Sequence, residues 1–185
     1  MKNFFLFLLA AALALVPDKL AAADYALSTN FADYARLGTM NLELSRSLSR
    51  HWSVNAGVKY NPFTFGEGED SRQNRERSII AGTRFWPWYV YSGWWLSGKL
   101  RYQEYNAGGF DSPLTQEGDR FGGGMALGYS KMLGTHFNLD LGFGMWMGYD
   151  RYVVYACPRC GRVMSTGGKY FLMPNDVILS LSYIF

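Results

Sequence analysis

Three groups of residues in this chain are of types that could do chemistry. The sharpest is "CPRCG", 157–161, which sets Cys157 and Cys160 at a Cys-x-x-Cys spacing. That spacing serves a zinc knuckle, a redox couple or a structural disulfide. A closed zinc site needs four ligands, and the chain has two cysteines and two histidines. A redox thiol is usually activated at a helix N-terminus, and the local pattern predicts no helix there. A disulfide tightening an exposed loop is the expectation, with a metal held by Cys157 and Cys160 as the alternative. The second group is His51, with Ser49 and Ser53 nearby, and His136 after Thr135. A hydrolase or acyltransferase needs a nucleophile, a base and a group that orients the base. Both histidines fall in predicted tight turns without such a third group, so no catalytic residue and no cofactor is assigned. The third group is ionic: Glu43, Arg84, Lys99, Arg101 and Asp140 recur among glycines, serines and asparagines. Their chemistry would be a network of ion pairs.

Strands must position that third group. "HFNLDLGFGMWMGYD", 136–150, alternates strictly. Phe137, Leu139, Leu141, Phe143, Met145, Met147 and Tyr149 take one face, and Asn138, Asp140, Gly142, Gly144, Trp146, Gly148 and Asp150 take the other. A period of two is a strand with one apolar side. The same alternation runs through 40–45, 52–60, 94–103, 121–130 and 177–185, and more weakly through 25–35 and 78–86. The total is eight strands. Short turns are predicted at 48–51, 88–93 and 132–136, and at the other end longer polar loops at 66–78, 108–119 and 157–175. Only the connector near 36–39 is short at that end.

Composition sets further bounds. With 185 residues, 18 basic and 15 acidic, the chain is too balanced in charge for a nucleic-acid binder. Aromatics at 17% and 21 glycines suit closely packed strands. At the N-terminus Lys2, the apolar stretch 4–16 and the small residues Ala21 and Ala23 form a secretory signal, with cleavage predicted after Ala23. Residues 1–23 are thus a signal peptide and 24–185 one domain. The run "FWPWYVYSGWWL", 85–96, is broken by Pro87 and Gly93 and is no spanning helix.

The charged face decides which side of the sheet looks inward. An eight-stranded barrel has an interior just wide enough for side chains. Glu43 and Asp140 could meet Arg84, Lys99 and Arg101 across it, beside inward Trp95 and Trp146. Aromatics gather at both strand ends, as rings do at two membrane interfaces. The reading is therefore an all-β, eight-stranded antiparallel up-and-down transmembrane barrel in the cell outer membrane, contacting its lipids. A soluble lipocalin-like barrel with its apolar face inward is the alternative. The chain ends on Phe185, with Leu179, Leu181 and Tyr183 at alternate positions. This resembles the C-terminal signal read by the outer-membrane assembly machinery.

"NLELSRSLSRHWSVNAGVKYNPF", "GDRFGGGMALGYS" and "FNLDLGFGMWMGYDRY" resemble a family of small uncharacterised outer-membrane barrels. Members are often encoded near fimbrial genes of anaerobic Gram-negative bacteria. The resemblance implies the same fold and location, and a surface or fimbrial protein as partner. The expected function is structural or adhesive, through the outward loops. A lipid-modifying outer-membrane enzyme is the alternative.

Overall fold

The computed structural model describes residues 25–66, 71–109, 114–157 and 161–185. The expected signal, its cleavage at Ala23, and Cys160 lie outside the described residues. The elements are β1 (Tyr25–Asn30), α1 (Phe31–Tyr34), β2 (Met40–Ser49), β3 (Trp52–Asn61), β4 (Thr64–Phe65), β5 (Arg72–Phe85), β6 (Gly93–Gly108), β7 (Thr115–Met132), β8 (Phe137–Tyr155) and β9 (Val163–Ile184). Every pairing is antiparallel. β3 pairs with β5, and β1 pairs with β9, so eight strands close into an up-and-down barrel. The two-residue β4 continues the line of β3 along the upper end of β5, in the same register.

The closure is staggered. The ladder through Ile80 reaches β9 at Phe171 by way of Arg101, Gly122 and Gly148. In the other direction, through Gly57, Glu43 and Ser28, it reaches β9 at Ser182. This offset is the shear that tilts the strands of a closed barrel. The last residue helps to close it: Tyr25 and Phe185 exchange backbone hydrogen bonds of 3.0 and 2.9 Å.

Three sequence expectations are corrected. The strand expected over 25–35 stops at Asn30, whose side chain caps α1 by accepting from the Ala32 N–H at 3.2 Å. The strand expected over 78–86 begins at Arg72. Most of the polar segments 66–78, 108–119 and 157–175 are not loops but continuations of β5, β6, β7 and β9. Their side chains are polar because this part of the sheet stands clear of the apolar band, and cross-strand hydrogen bonding does not need apolar side chains. β5 to β9 therefore rise as a wall on one side, while β1 to β3 end low.

At the short-turn end the chain plugs its own barrel. Residues 86–92 fold inward and bury Trp86 and Tyr91. The Trp86 Nε1–H donates to Ser53 Oγ at 3.1 Å, and the two rings meet edge-on at 5.9 Å. Gly93, at φ 76°, lies where a Cβ would come within 2.6 Å of the Trp88 ring, so only glycine closes this turn.

Above the plug sits Trp95, with no exposed surface. Glycines make its space: a Cβ at Gly142 would lie 2.8 Å from Trp95 Cη2, and one at Gly128 would collide with the ring and with the Leu141 carbonyl. At Gly98, on the outer face, a Cβ would meet nothing within 4 Å. Gly128→Val is therefore expected to cost several kcal/mol, above the ~1–3 of ordinary overpacking, because backbone as well as side chain must shift. Gly98→Ala should leave stability unchanged or raised. Urea unfolding of the two variants in detergent micelles, followed by tryptophan emission, checks the contrast.

Candidate functional site

The two faces of the wall differ completely. Phe143, Met125, Leu100, Leu127 and Leu141 are about half exposed on the outside, while Asp140, Asp150 and Arg101 are buried inside. The apolar side faces outward, opposite to the lipocalin-like arrangement.

The outer face carries a band with defined edges. At its upper side Ile79, Tyr102, Phe121, Tyr149 and Tyr170 are successive partners across β5 to β9. The next outward row reads Arg77, Glu104, Asp119 and Arg151, so the apolar surface ends sharply at charges. At its lower side Trp52 packs on Phe85 (5.1 Å), Trp94 on Tyr129 (5.4 Å) and Phe137 on Tyr183 (5.2 Å). Lys131 follows Tyr129 outward. Leu179, Leu181, Tyr183 and Phe185 form the outward stripe of the final strand, and Phe185 stacks on Tyr25 at 6.0 Å. Between the rows, strands such as β7 offer 121–129, close to the ~9–11 tilted residues that cross a hydrocarbon layer.

The interior is built on ion pairs. Arg84 joins Glu43 at 2.5 Å and Asp140 at 3.6 Å, with its guanidinium 4.8 Å from the Trp95 ring centroid. Asn55 Nδ2 donates to Glu43 at 2.8 Å, while Ser182 (2.8 Å) and Ser130 hydroxyls donate to Asp140. Lone pairs left over by the guanidinium are thus satisfied, which a buried ion pair requires. The expected five-membered network is only partly one cluster. Glu43, Arg84 and Asp140 come together; Lys99 instead pairs with Asp176, and Arg101 with Glu76 at 3.5 Å.

Two further pairs complete the ladder. Lys59 Nζ meets Asp33 at 2.7 Å, and Arg120 Nε meets Asp150 at 3.1 Å. Arg101 lies 4.7 Å from the Trp146 centroid, Phe171 packs edge-on to Trp146 at 4.5 Å, and Arg120 lies 3.6 Å from the Tyr105 centroid. The Tyr105 hydroxyl donates to Asp150 at 2.9 Å, above the charged outer row. Burial outweighs the Arg120 charge and, with the Asp150 hydrogen bond, pushes this phenol above its ordinary pKa, so it remains a donor. Among the described residues, these inward ion pairs join five cations to six carboxylates.

Sequence reasoning missed Glu76, Asp176 and Asp33 for different reasons. Glu76 shares parity with Ser78, Ile80 and Arg84, and Asp176 with Ile178 and Ser180, so both were readable had the strands been extended. Asp33 sits on α1, which no strand pattern reveals. A cavity of about 60 Å³ opens among Asn30, Asp33, Glu43, Lys59, Lys99 and Asp176. It is large enough for ordered water.

The histidines are held in turns. His51 Nδ1 contacts the Trp86 carbonyl at 2.9 Å, and His136 Nδ1 the Ile184 carbonyl at 3.1 Å. Cys157 is buried at the wall's tip; its expected partner Cys160 lies outside the described residues.

The chain is a closed antiparallel β-barrel with a filled, ion-paired interior, an apolar exterior band and a wall raised on one side. The chain belongs to the family described as protein of unknown function (DUF3575), whose model matches residues 4–185. No curated protein and no solved structure matches it.

Arg84 is the partner of two carboxylates, so Arg84→Met should destabilise the barrel by about 3 kcal/mol, the lower end for a buried pair because Glu43 is partly exposed. Adding Glu43→Gln should return part of that loss. The double-mutant cycle in urea reads both.

Proposed function

We propose that this chain is an exported outer-membrane β-barrel that acts as a structural or adhesive element of the cell envelope. Lipid wraps the apolar band, and the raised wall is presented outside to a surface or fimbrial protein. One observation carries the reading. Half-exposed aliphatic side chains fill a continuous exterior band that ends in aromatic rows, while the charges lie inside. In water such a band would be far larger than the apolar patches soluble monomers expose. In a bilayer it matches a ~25 Å hydrocarbon belt with aromatic girdles.

The short turns, the start of β1 and the end of β9 then face the periplasm, and the wall of β5 to β9 faces out. The stripe Leu179, Leu181, Tyr183 and Phe185 is the part the assembly machinery would read. The filled interior argues against a diffusion pore, since ion pairs and tryptophans occupy the lumen. At the tip of the wall, a Cys157–Cys160 disulfide would tighten the turn between β8 and β9. Its formation fits an exported protein.

Phe143 lies near the middle of the band. Phe143→Arg should cost about 2–4 kcal/mol of folding stability in lipid vesicles, as a cation facing hydrocarbon at the midplane does. On a water-facing surface the same change would be within about 0.5 kcal/mol. Refolding into vesicles, read by the mobility difference between boiled and unboiled samples in detergent gels, distinguishes the two; an unchanged folded fraction would remove the lipid reading. Thiol titration of the denatured, unreduced protein should find no free thiol. Two titratable thiols would remove the disulfide.

A further inference from the structure

The raised wall has an open edge. β9 pairs with β1 only from Ser180 to Ile184, whereas it pairs with β8 up to Val163. Where β1 ends, the Asn30 side chain takes its place for one step. Its Nδ2 donates to the Val177 carbonyl at 3.0 Å, and its Oδ1 accepts from the Leu179 N–H at 2.9 Å. Over 163–172, no described strand, turn or helix pairs with that edge.

The Asn30 contacts also give the direction of the free groups. Outward residues of β9 point their N–H and C=O away from β8. Carried through the irregularity opposite Gly144 and Trp146, that parity makes Thr166, Gly168, Tyr170 and Leu172 the residues whose backbone polar groups face the open side. All residues over 161–170 are exposed, Tyr170 to 87%. Here β9 is the edge strand of the five-stranded wall, because β5 to β8 stay paired in succession up to this height.

Proteins commonly blunt such edges with charges, prolines or bulges. This one does so only weakly. Lys169, the single charge over 163–172, leans over the Tyr152 ring at 5.0 Å, and proline enters only at Pro174. Over 161–172 the edge carries Arg162 and Lys169, both basic, while Asp150, the β8 partner of Lys169, is held by Arg120. The outward side chains of β9 at the edge include Thr166, Tyr170 and Leu172.

We propose that the 163–170 edge of β9 is a strand-addition site. It takes an extended segment of another protein, antiparallel to β9, with alternating apolar side chains and acidic residues. The added strand continues the line of β1 and completes a ladder that already exists. Backbone hydrogen bonds supply affinity, and the alternate side chains supply selectivity. A second copy in the same membrane does not fit. Two such copies are related by an axis along the membrane normal, so strands tilted ~35–45° cross at about twice that angle and cannot run side by side. Only this exclusion and the direction of approach rest on the outer-membrane reading.

The test uses the full mature chain folded in detergent, with synthetic ten-residue peptides of alternating valine and threonine. One carries two glutamates, one two lysines, and one the glutamates plus a central proline. Hydrogen exchange is followed at the amides of Thr166, Gly168 and Tyr170. The glutamate peptide should slow their exchange at least tenfold; the lysine and proline peptides should not. Thr166→Pro, which removes an edge-facing N–H and leaves the β8 ladder intact, should abolish the protection while gel mobility stays that of the folded form. Should that variant fail to fold, Lys169→Glu should shift the preference toward the lysine peptide. No protection by the glutamate peptide, or no shift in preference, overturns the proposal. Protection without peptide that grows with protein concentration also overturns it, in favour of self-association. The measurement needs no bilayer, so its failure leaves the lipid-band reading standing, and failure of the Phe143→Arg test leaves the edge standing.

Discussion

The guanidinium of Arg84 is the point on which the rest of the barrel turns. It balances Glu43 and Asp140, carboxylates from opposite sides of the ring, and lies against Trp95. Trp95 fits only because Gly128 and Gly142 carry no side chain. A strand that alternates apolar and polar must put one side inward. Once the apolar side is outward, the enclosed side must neutralise its own charges, because little water remains to do so. The same solution repeats up the axis. Arg101 and Trp146 form the next layer, then Arg120, Tyr105 and Asp150. Each layer pairs a cation with an acid and rests it on a ring.

This interior explains the composition. Glycines cluster on the inward parity of β7 and β8, opposite the large rings, and several of them allow strand neighbours to approach without a Cβ in the way. Aromatics divide between two jobs. Trp86, Trp95 and Trp146 fill the lumen, while Trp52, Trp88 and Trp94 stay about half exposed at the lower rim. The short-turn end is sealed by the chain's own 86–92 segment, and the far end rises on one side only. The scaffold is thus rigid and closed below, and open to contact above.

The banded part of the fold was legible because alternation there is enforced by two different faces, one apolar and outward, one enclosed and charged. Phe137 to Asp150 show it residue by residue, and the eight strands and the burial of Asp140, Trp95 and Trp146 follow from it. Above the band both faces meet water, so apolar alternation fades although the strands continue. That is why 72–78, 115–119 and 163–174 read as loops, and why Glu76 and Asp176 escaped. Ion-pair partners were less legible than membership. Parity places Lys99 and Arg101 inside, but stagger decides which acid each one meets, and stagger depends on the register of every strand. Asp33 was beyond reach, since the chain leaves the sheet at Asn30 through a cap that also resembles a strand position.

Tryptophan supplies the most direct measurement. Trp94 and Trp95 are neighbours in sequence on opposite faces of β6, one half exposed and one fully buried. Two variants, each keeping one of the pair and replacing the other five tryptophans with phenylalanine, would be folded into vesicles containing lipids brominated along their acyl chains. Lipid outside and charge inside requires strong bromine quenching of Trp94 and little quenching of Trp95, with aqueous iodide reaching neither efficiently. Quenching of Trp94 by iodide but not by brominated lipid would contradict the account.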